Sequence, residues 1–347
     1  MQKLNLFSFG EPVPFLDKSE IMEYLESTMM FEKYYSPPID FNGLAKAFYS
    51  TSYHSTAINV KKNILLSTVE SSGLISRLDL ERIVLDFLIF GNAYLFVNEN
   101  KLNKPIKVKA LLAKHIRRGR EKGQFFQVAN WLNEIELPKD QVLHLMQPDF
   151  NQEIYGLPEY ISALQSSFLN EAATLFRRKY YINGAHAGSI IYMTDPMQDE
   201  ESINNIQEQI KAAKGKGNFK NLFIYAPNGK ETGLKVIPLS DVTAKDEFLN
   251  IKNTSRDDIL AAHRVPPQLL GIIPNNTGGF GDVEKAGRVF FINEIEPLHQ
   301  KLAEINTFFA ERYGVKQALI RFKPYRLLDG ESSDNPIHRI SKSISSQ

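Results

Sequence analysis

SRLDLERIVLDFLIFGNAYLFVNEN, residues 76–100, holds the change of texture that decides the fold class. Its first half repeats apolar residues at helical spacing, with Leu78, Ile83, Phe87 and Phe90 expected on one face. Gly91 then stands where a helix end favours a residue that can turn left-handed. From Asn92 onward the pattern alternates, as a strand does. A helix that hands over to a strand through one glycine predicts an α+β fold.

Upstream, Ser19 followed by EIMEYLESTMMFE reads as a capped helix, YYSPPIDFNG as a loop, and 43–69 as helical. Residues 1–20 are expected to form an extended arm. Downstream, 101–145 suggest short antiparallel strands, among them QFFQVANW and QVLHLMQP. A long helix follows over 158–183, with Ile161, Leu164, Phe168, Ala172 and Leu175 as its stripe and Arg177, Arg178 and Lys179 near its end. A small α/β module at 185–240 is expected from strands at 189–193, 222–226 and 234–239 and a helix at 199–213. The next helix, 241–263, has seven consecutive polar residues, Lys252 to Asp258. That run predicts a solvated face or a wet cavity wall. After the glycine-rich GIIPNNTGGFGD at 271–282 comes a third long helix to about Tyr313, with Pro297 inside it and expected to kink it. Gly314 should stop it, KQALIRFKPY should add a last strand, and 327–347 reads as a disordered tail.

The chain has 347 residues, 43% of them hydrophobic, ample for a core. It has no cysteine, which excludes disulfides and thiolate metal sites. The net charge of +1 gives no global pull toward nucleic acid or anionic membranes. No run reaches the roughly 18 apolar residues of a membrane span. These features read as a cytoplasmic protein without membrane partners.

The glycine loop fails as a phosphate cradle. A Walker loop needs a lysine to neutralise phosphate, and none lies between Gly271 and Val283. Gly279-Phe280-Gly281 lacks the third dinucleotide-binding glycine, and Asp282 would put negative charge at the next helix start. The seven histidines include no helical pair for zinc, and no Gly-x-Ser-x-Gly elbow occurs. Neither a cofactor, nor a metal, nor catalysis is expected. One basic patch stands out. Nine Lys/Arg and one acid lie between Lys101 and Gly123, densest at Lys114, Arg117, Arg118 and Arg120. It reads either as lysines blunting an exposed strand edge or as a contact for nucleic acid or an acidic partner.

DFLIFGNAYLFV, VLHLMQPDFNQEIYGLPEYISAL, RRKYYINGAHAGSIIYMTD and ILAAHRVPPQLLG, in that order, resemble the portal proteins of tailed bacteriophages. FGEPVPFLD at Phe9 to Asp17 is similar to the entrance of the portal vertex proteins of temperate phages with long contractile tails. The resemblance covers about residues 7–326.

It implies a structural head–tail connector, a ring usually of about twelve subunits at one capsid vertex, assembled in the host bacterial cytoplasm. Double-stranded DNA would pass through it without sequence specificity during packaging and ejection. Terminase large subunit, then head-completion and neck proteins, would dock on it, and major capsid and scaffold proteins would surround it. The implied layout is an N-terminal arm at 1–20, a wing at 21–157 and a first stem helix at 158–184. An α/β clip at 185–240, a second stem helix at 241–263 and a channel loop at 264–281 follow. A kinked helix with a closing wing strand fills 282–326. Because only a short tail follows Arg326, the crown of many portals is expected to be reduced or absent.

In this layout the channel loop is Pro274, Asn275, Asn276, Thr277, Gly278, Gly279, Phe280 and Gly281, its glycines supplying mobility. The channel-lining helix presents Asp246, Glu247, Lys252, Arg256, Asp257 and Asp258. Residues 241–263 carry five acids and three bases, a net of −2, or roughly −24 around a twelvefold ring facing anionic DNA. Lys214, Lys216, Asn218, Lys220, Asn228 and Lys230 are the clip's expected contacts with terminase and neck. The competing readings are a monomeric DNA-binding capsid adaptor using the basic 101–123 patch, and an enzyme with a dispersed site.

Overall fold

Ser76 accepts a hydrogen bond from the Asp79 N–H and so starts the helix Arg77–Phe90. Gly91 ends it with φ of 66°. A computed structural model describes residues 29–30, 33–130, 133–182, 189–193, 222–225, 234–238, 242–273 and 282–325. The elements, in chain order, begin with strands β1 (Met29–Met30) and β2 (Tyr34–Tyr35), helices α1 (Phe41–Ala47) and α2 (Ser52–Ser67), and β3 (Val69–Ser71). Helix α3 is Arg77–Phe90, followed by β4 (Asn92–Glu99), β5 (Pro105–Leu111), β6 (Ile116–Arg118), β7 (Phe125–Asn130), β8 (Asn133–Glu136) and β9 (Val142–Met146). Then come α4 (Leu164–Ile182), β10 (Ser189–Met193), β11 (Leu222–Tyr225), β12 (Leu234–Pro238) and α5 (Val242–Ala262). Helices α6 (Val283–Phe290) and α7 (Glu296–Tyr313) and strand β13 (Ile320–Phe322) complete the described elements.

The expected α+β character holds. Sheet β5-β4-β9 and sheet β6-β7-β8 are antiparallel, as the alternation over 101–145 requires. β13 pairs back on β3. The module at 189–238 has the order β11-β10-β12, with β10 parallel to β11 and antiparallel to β12. Its three strands fall where the sequence places them. The expected helix at 199–213 lies outside the described residues, as do the arm at 1–20 and the tail at 327–347.

Several expectations change. The helix read over 20–32 does not reach its end, because Met29 and Met30 pair with Tyr35 and Tyr34 as a two-residue ladder. The stretch 43–69 is two helices and a strand. Thr51, extended and accepting the Tyr53 N–H, caps a new helix. At the other end Val69–Ser71 leaves the helix to pair with β13, a partner more than 200 residues away that periodicity cannot reveal. Leu78 is 56% exposed, off the buried face. Leu80, Ile83, Val84 and Phe87 pack into one core while Ile89 and Phe90 pack into a second. α3 is buried on two sides, so its pattern is apolar nearly all round.

The third long helix is interrupted where Pro297 predicts trouble. Phe291–Ile295 form a wide π turn directly before α7, with Pro297 in the first turn of that helix. Proline has no N–H to return to the preceding turn, so the ladder must change there. The wide turn carries Glu294 and Ile295 inward, and both are buried. Gly314 closes α7 with φ of 64°.

Candidate functional site

Helices α4 and α5 lie side by side, and hydrogen bonds cross the contact between them. Asn170 is 2% exposed, and its Nδ2 donates to Ser255 Oγ at 2.8 Å and to the Lys252 carbonyl at 3.2 Å. Ser166 Oγ donates to Asp258 Oδ2 at 3.1 Å. The polar run Lys252–Asp258 therefore does two things. Ser255 is buried against the partner helix, while Thr254, Asp257 and Asp258 face outward and are exposed. Arg256 folds back onto Asp257 Oδ1 at 2.8 Å. Lys252 sits partly withdrawn from water, which pulls its pKa down, with Arg177 on α4 adding to the effect. Of the stripe expected on α4, Leu164 and Phe168 are buried, but Ala172 and Leu175 are only half-buried and the face runs out. Leu169, Phe176 and, on α5, Leu249 are exposed.

The other candidates divide. The loop residues Pro274, Asn275, Asn276, Thr277, Gly278, Gly279, Phe280 and Gly281 lie outside the described residues, as do Lys214, Lys216, Asn218, Lys220, Asn228 and Lys230. Asp246 and Glu247 lie on α5. Asp282 accepts the Lys285 N–H and caps α6, so its carboxylate occupies the place an anion would take. In the densest part of the basic patch Lys114, Arg117 and Arg118 are half-buried and Arg120 is exposed. Arg117 Nη1 donates to the Lys114 and Ile116 carbonyls, both at 2.9 Å, and Arg118 stacks 5.5 Å over Phe125. Lys101, Lys104, Lys107 and Lys109 are exposed along β5 and the turn before it. β5 is an edge strand of its sheet, where lysine discourages strand addition.

A third group was not singled out by the sequence. At the end of α5, His263 Nε2 meets His54 Nδ1 at 2.8 Å, both buried and flanking Tyr160. Burial pushes His54 down to about 4 and His263 to about 2, so both are neutral. Beside them Lys61 Nζ pairs with Glu294 Oε2 at 2.7 Å, with both side chains 6% exposed. Arg264 bridges Glu294 Oε1, at 2.5 Å, to Glu159. Glu294 and then Glu159 hold the Arg264 guanidinium even more firmly charged than usual. A cavity of about 270 Å³ opens against these residues. Four segments thus meet: α2, the approach to α4, the end of α5 and the π turn. Sequence spacing hides the group because His54 and His263 are 209 positions apart.

Among the described residues there is no cluster of three or more His, Asp or Glu that could hold a metal ion, and no helix long and apolar enough to cross a membrane.

The family model described as "Phage portal protein" matches residues 76–335. A probable portal protein of Escherichia phage P2 is 48% identical over 325 residues, covering 94% of this chain and 92% of its own length. Among solved structures, the neck of a native GTA particle computed with C12 symmetry superposes with a TM-score of 0.60 at 16% identity, over 88% of this chain and 87% of that one. An HK97 family phage portal protein from Corynebacterium diphtheriae superposes with a TM-score of 0.56 at 12% identity, over 81% and 94%.

Proposed function

The chain belongs to the phage portal protein family, and from that premise we propose that it forms the ring through which double-stranded DNA enters and leaves the phage head. The observation that carries the reading is the helix pair α4/α5. Hydrogen bonds from Asn170 and Ser166 cross its seam, and Thr254, Asp257 and Asp258 stand exposed to solvent. A helix packed only inside a monomer would bury an apolar stripe there. A wall of a water-filled channel needs no such stripe. Acidic side chains on it also avoid tight phosphate contacts that would stall a sliding duplex.

In this reading residues 21–157 form the wing, joined by the strand β13. α4 and α5 are the two stem helices, β10–β12 belong to the clip, and 264–281 is the channel loop. The clip would receive the terminase large subunit and later the head-completion and neck proteins. Capsid and scaffold proteins would hold the ring at its vertex in the virion. The protein acts as structure and conduit rather than as an enzyme. Twelve subunits are supported by the C12 symmetry of the related neck.

Native mass spectrometry and electron microscopy of the purified protein test this. A 39.5 kDa chain predicts annular particles near twelve times that mass, with a central hole. A chain that stays at 39.5 kDa even when co-expressed with its capsid and scaffold proteins would overturn the reading.

A further inference from the structure

Among the described residues, three elements end on a left-handed residue that is glycine: Gly91 after α3, Gly271 after the 3-10 turn Pro267–Leu270, and Gly314 after α7. α5 ends on Arg264, with φ of 54°. Its N–H donates to Ala261 O at 2.9 Å and the Val265 N–H to Leu260 O at 3.0 Å. That is the paired closure of a helix end in which glycine is usual. Val265 and Leu260 are buried in the same core, the apolar contact that accompanies it. Among the described residues the other non-glycine positive φ values belong to Asn103 and Asp140, types that tolerate this region. Arginine gains nothing locally from being there, and its β-carbon is a steric cost. Its side chain is what distinguishes it from glycine.

That side chain reaches the π turn through Glu294 and the approach to α4 through Glu159. The buried Lys61 fixes Glu294 from the other side. The chain leaves Arg264 directly into the segment 265–273. We propose that Arg264 is a positioning residue that sets the direction in which the chain leaves α5 toward the channel loop, by tying that exit to Glu294 and Glu159. The assignment rests on the portal reading, because it is DNA passage that the direction of this segment would affect.

The test uses the full chain assembled as rings, with Arg264→Gly, Arg264→Lys and Glu159→Gln. Glycine keeps the left-handed closure and removes the whole side chain, guanidinium included. Lysine keeps the charge but lacks the fork that spans two carboxylates. The expected result for Arg264→Gly is rings of unchanged mass, with hydrogen exchange at least tenfold faster at 265–273 and unchanged in β4 and β5. Nuclease-protected DNA in heads should fall, with Arg264→Lys and Glu159→Gln in between. Exchange and packaging at wild-type levels in Arg264→Gly would overturn the proposal. So would exchange rising equally everywhere, or loss of rings in all three variants, since either marks a role in folding alone. Wild-type protein that forms no ring would sink the portal reading instead.

Discussion

Asn92 and Gly156, 64 positions apart, hold each other from both sides. Asn92 Nδ2 donates to the Gly156 carbonyl at 2.7 Å, and its Oδ1 accepts the Gly156 N–H at 2.8 Å. The same side chain donates to Phe90 O at 2.7 Å and accepts from His144 Nε2 at 2.8 Å. Asn92 is fully buried, so these partners depend on its one amide. It joins the turn between α3 and β4 to the chain that enters α4, and so to the proposed stem.

Asn92→Ala should therefore destabilise by about 3 kcal/mol, because it leaves several buried polar groups unpaired. Gly156→Ala should do at least as much harm. A β-carbon there would stand 2.1 Å from Gly91 O and 2.5 Å from Gln147 O, both backbone atoms. Urea unfolding curves measure both.

Asn170→Ala removes the amide that links α4 to Ser255 and Lys252. A loss of about 1–2 kcal/mol is expected. Hydrogen exchange should rise in 164–178 and 249–262 and stay unchanged in β4.

Acid should weaken the protein through histidines withdrawn from water. Burial holds His144 at about 3, His54 at about 4 and His263 at about 2. Each is neutral when folded but takes a proton below about 6.5 when unfolded. Their stabilisation is complete above that pH and is lost as pH falls, at about 1.4 kcal/mol per pH unit for each. His144→Gln, which can still donate to Asn92, should lower the slope between pH 6 and 4.5 by about one proton. Denaturant midpoints across pH give the slope.

Asp86 works in the opposite direction. Burial raises its carboxyl to about 7, although the Ala113 N–H bonds it at 2.7 Å. The folded state keeps a proton the unfolded chain gives up near pH 4, so the cost appears as pH rises and is complete above about 7. Asp86→Asn keeps an acceptor for Ala113. It should stabilise by about 1–3 kcal/mol at pH 8 and have little effect at pH 4, as thermal melts at the two pH values would register.

Asp257→Lys with Asp258→Lys, on the exposed side of α5, should leave ring mass unchanged and reduce nuclease-protected DNA several-fold. Packaging at the wild-type level would remove the idea that the wall must not attract phosphate.

The sequence by itself determined the kinds of element and much of their order. The helix that ends at Gly91, the alternating strands from Asn92 and the helices holding Asn170 and Ser255 all follow from local periodicity, capping and glycine geometry. The polar run on α5 and the break near Pro297 were legible for the same reason, since both are statements about neighbouring residues. Only the tertiary structure decided which distant residues meet. Val69–Ser71 became a strand because β13 came to pair with it. Leu78 fell outside the core because the face that α3 buries runs through Leu80, Ile83, Val84 and Phe87. Arg117 folded onto the Lys114 and Ile116 carbonyls and Arg118 onto the Phe125 ring, both half-buried. The joint of His54, Lys61, Glu159, His263, Arg264 and Glu294 had no spacing to betray it. Hydrogen bonds and ion pairs between segments act only after the core has brought them together, and that geometry is written in no single stretch of the chain.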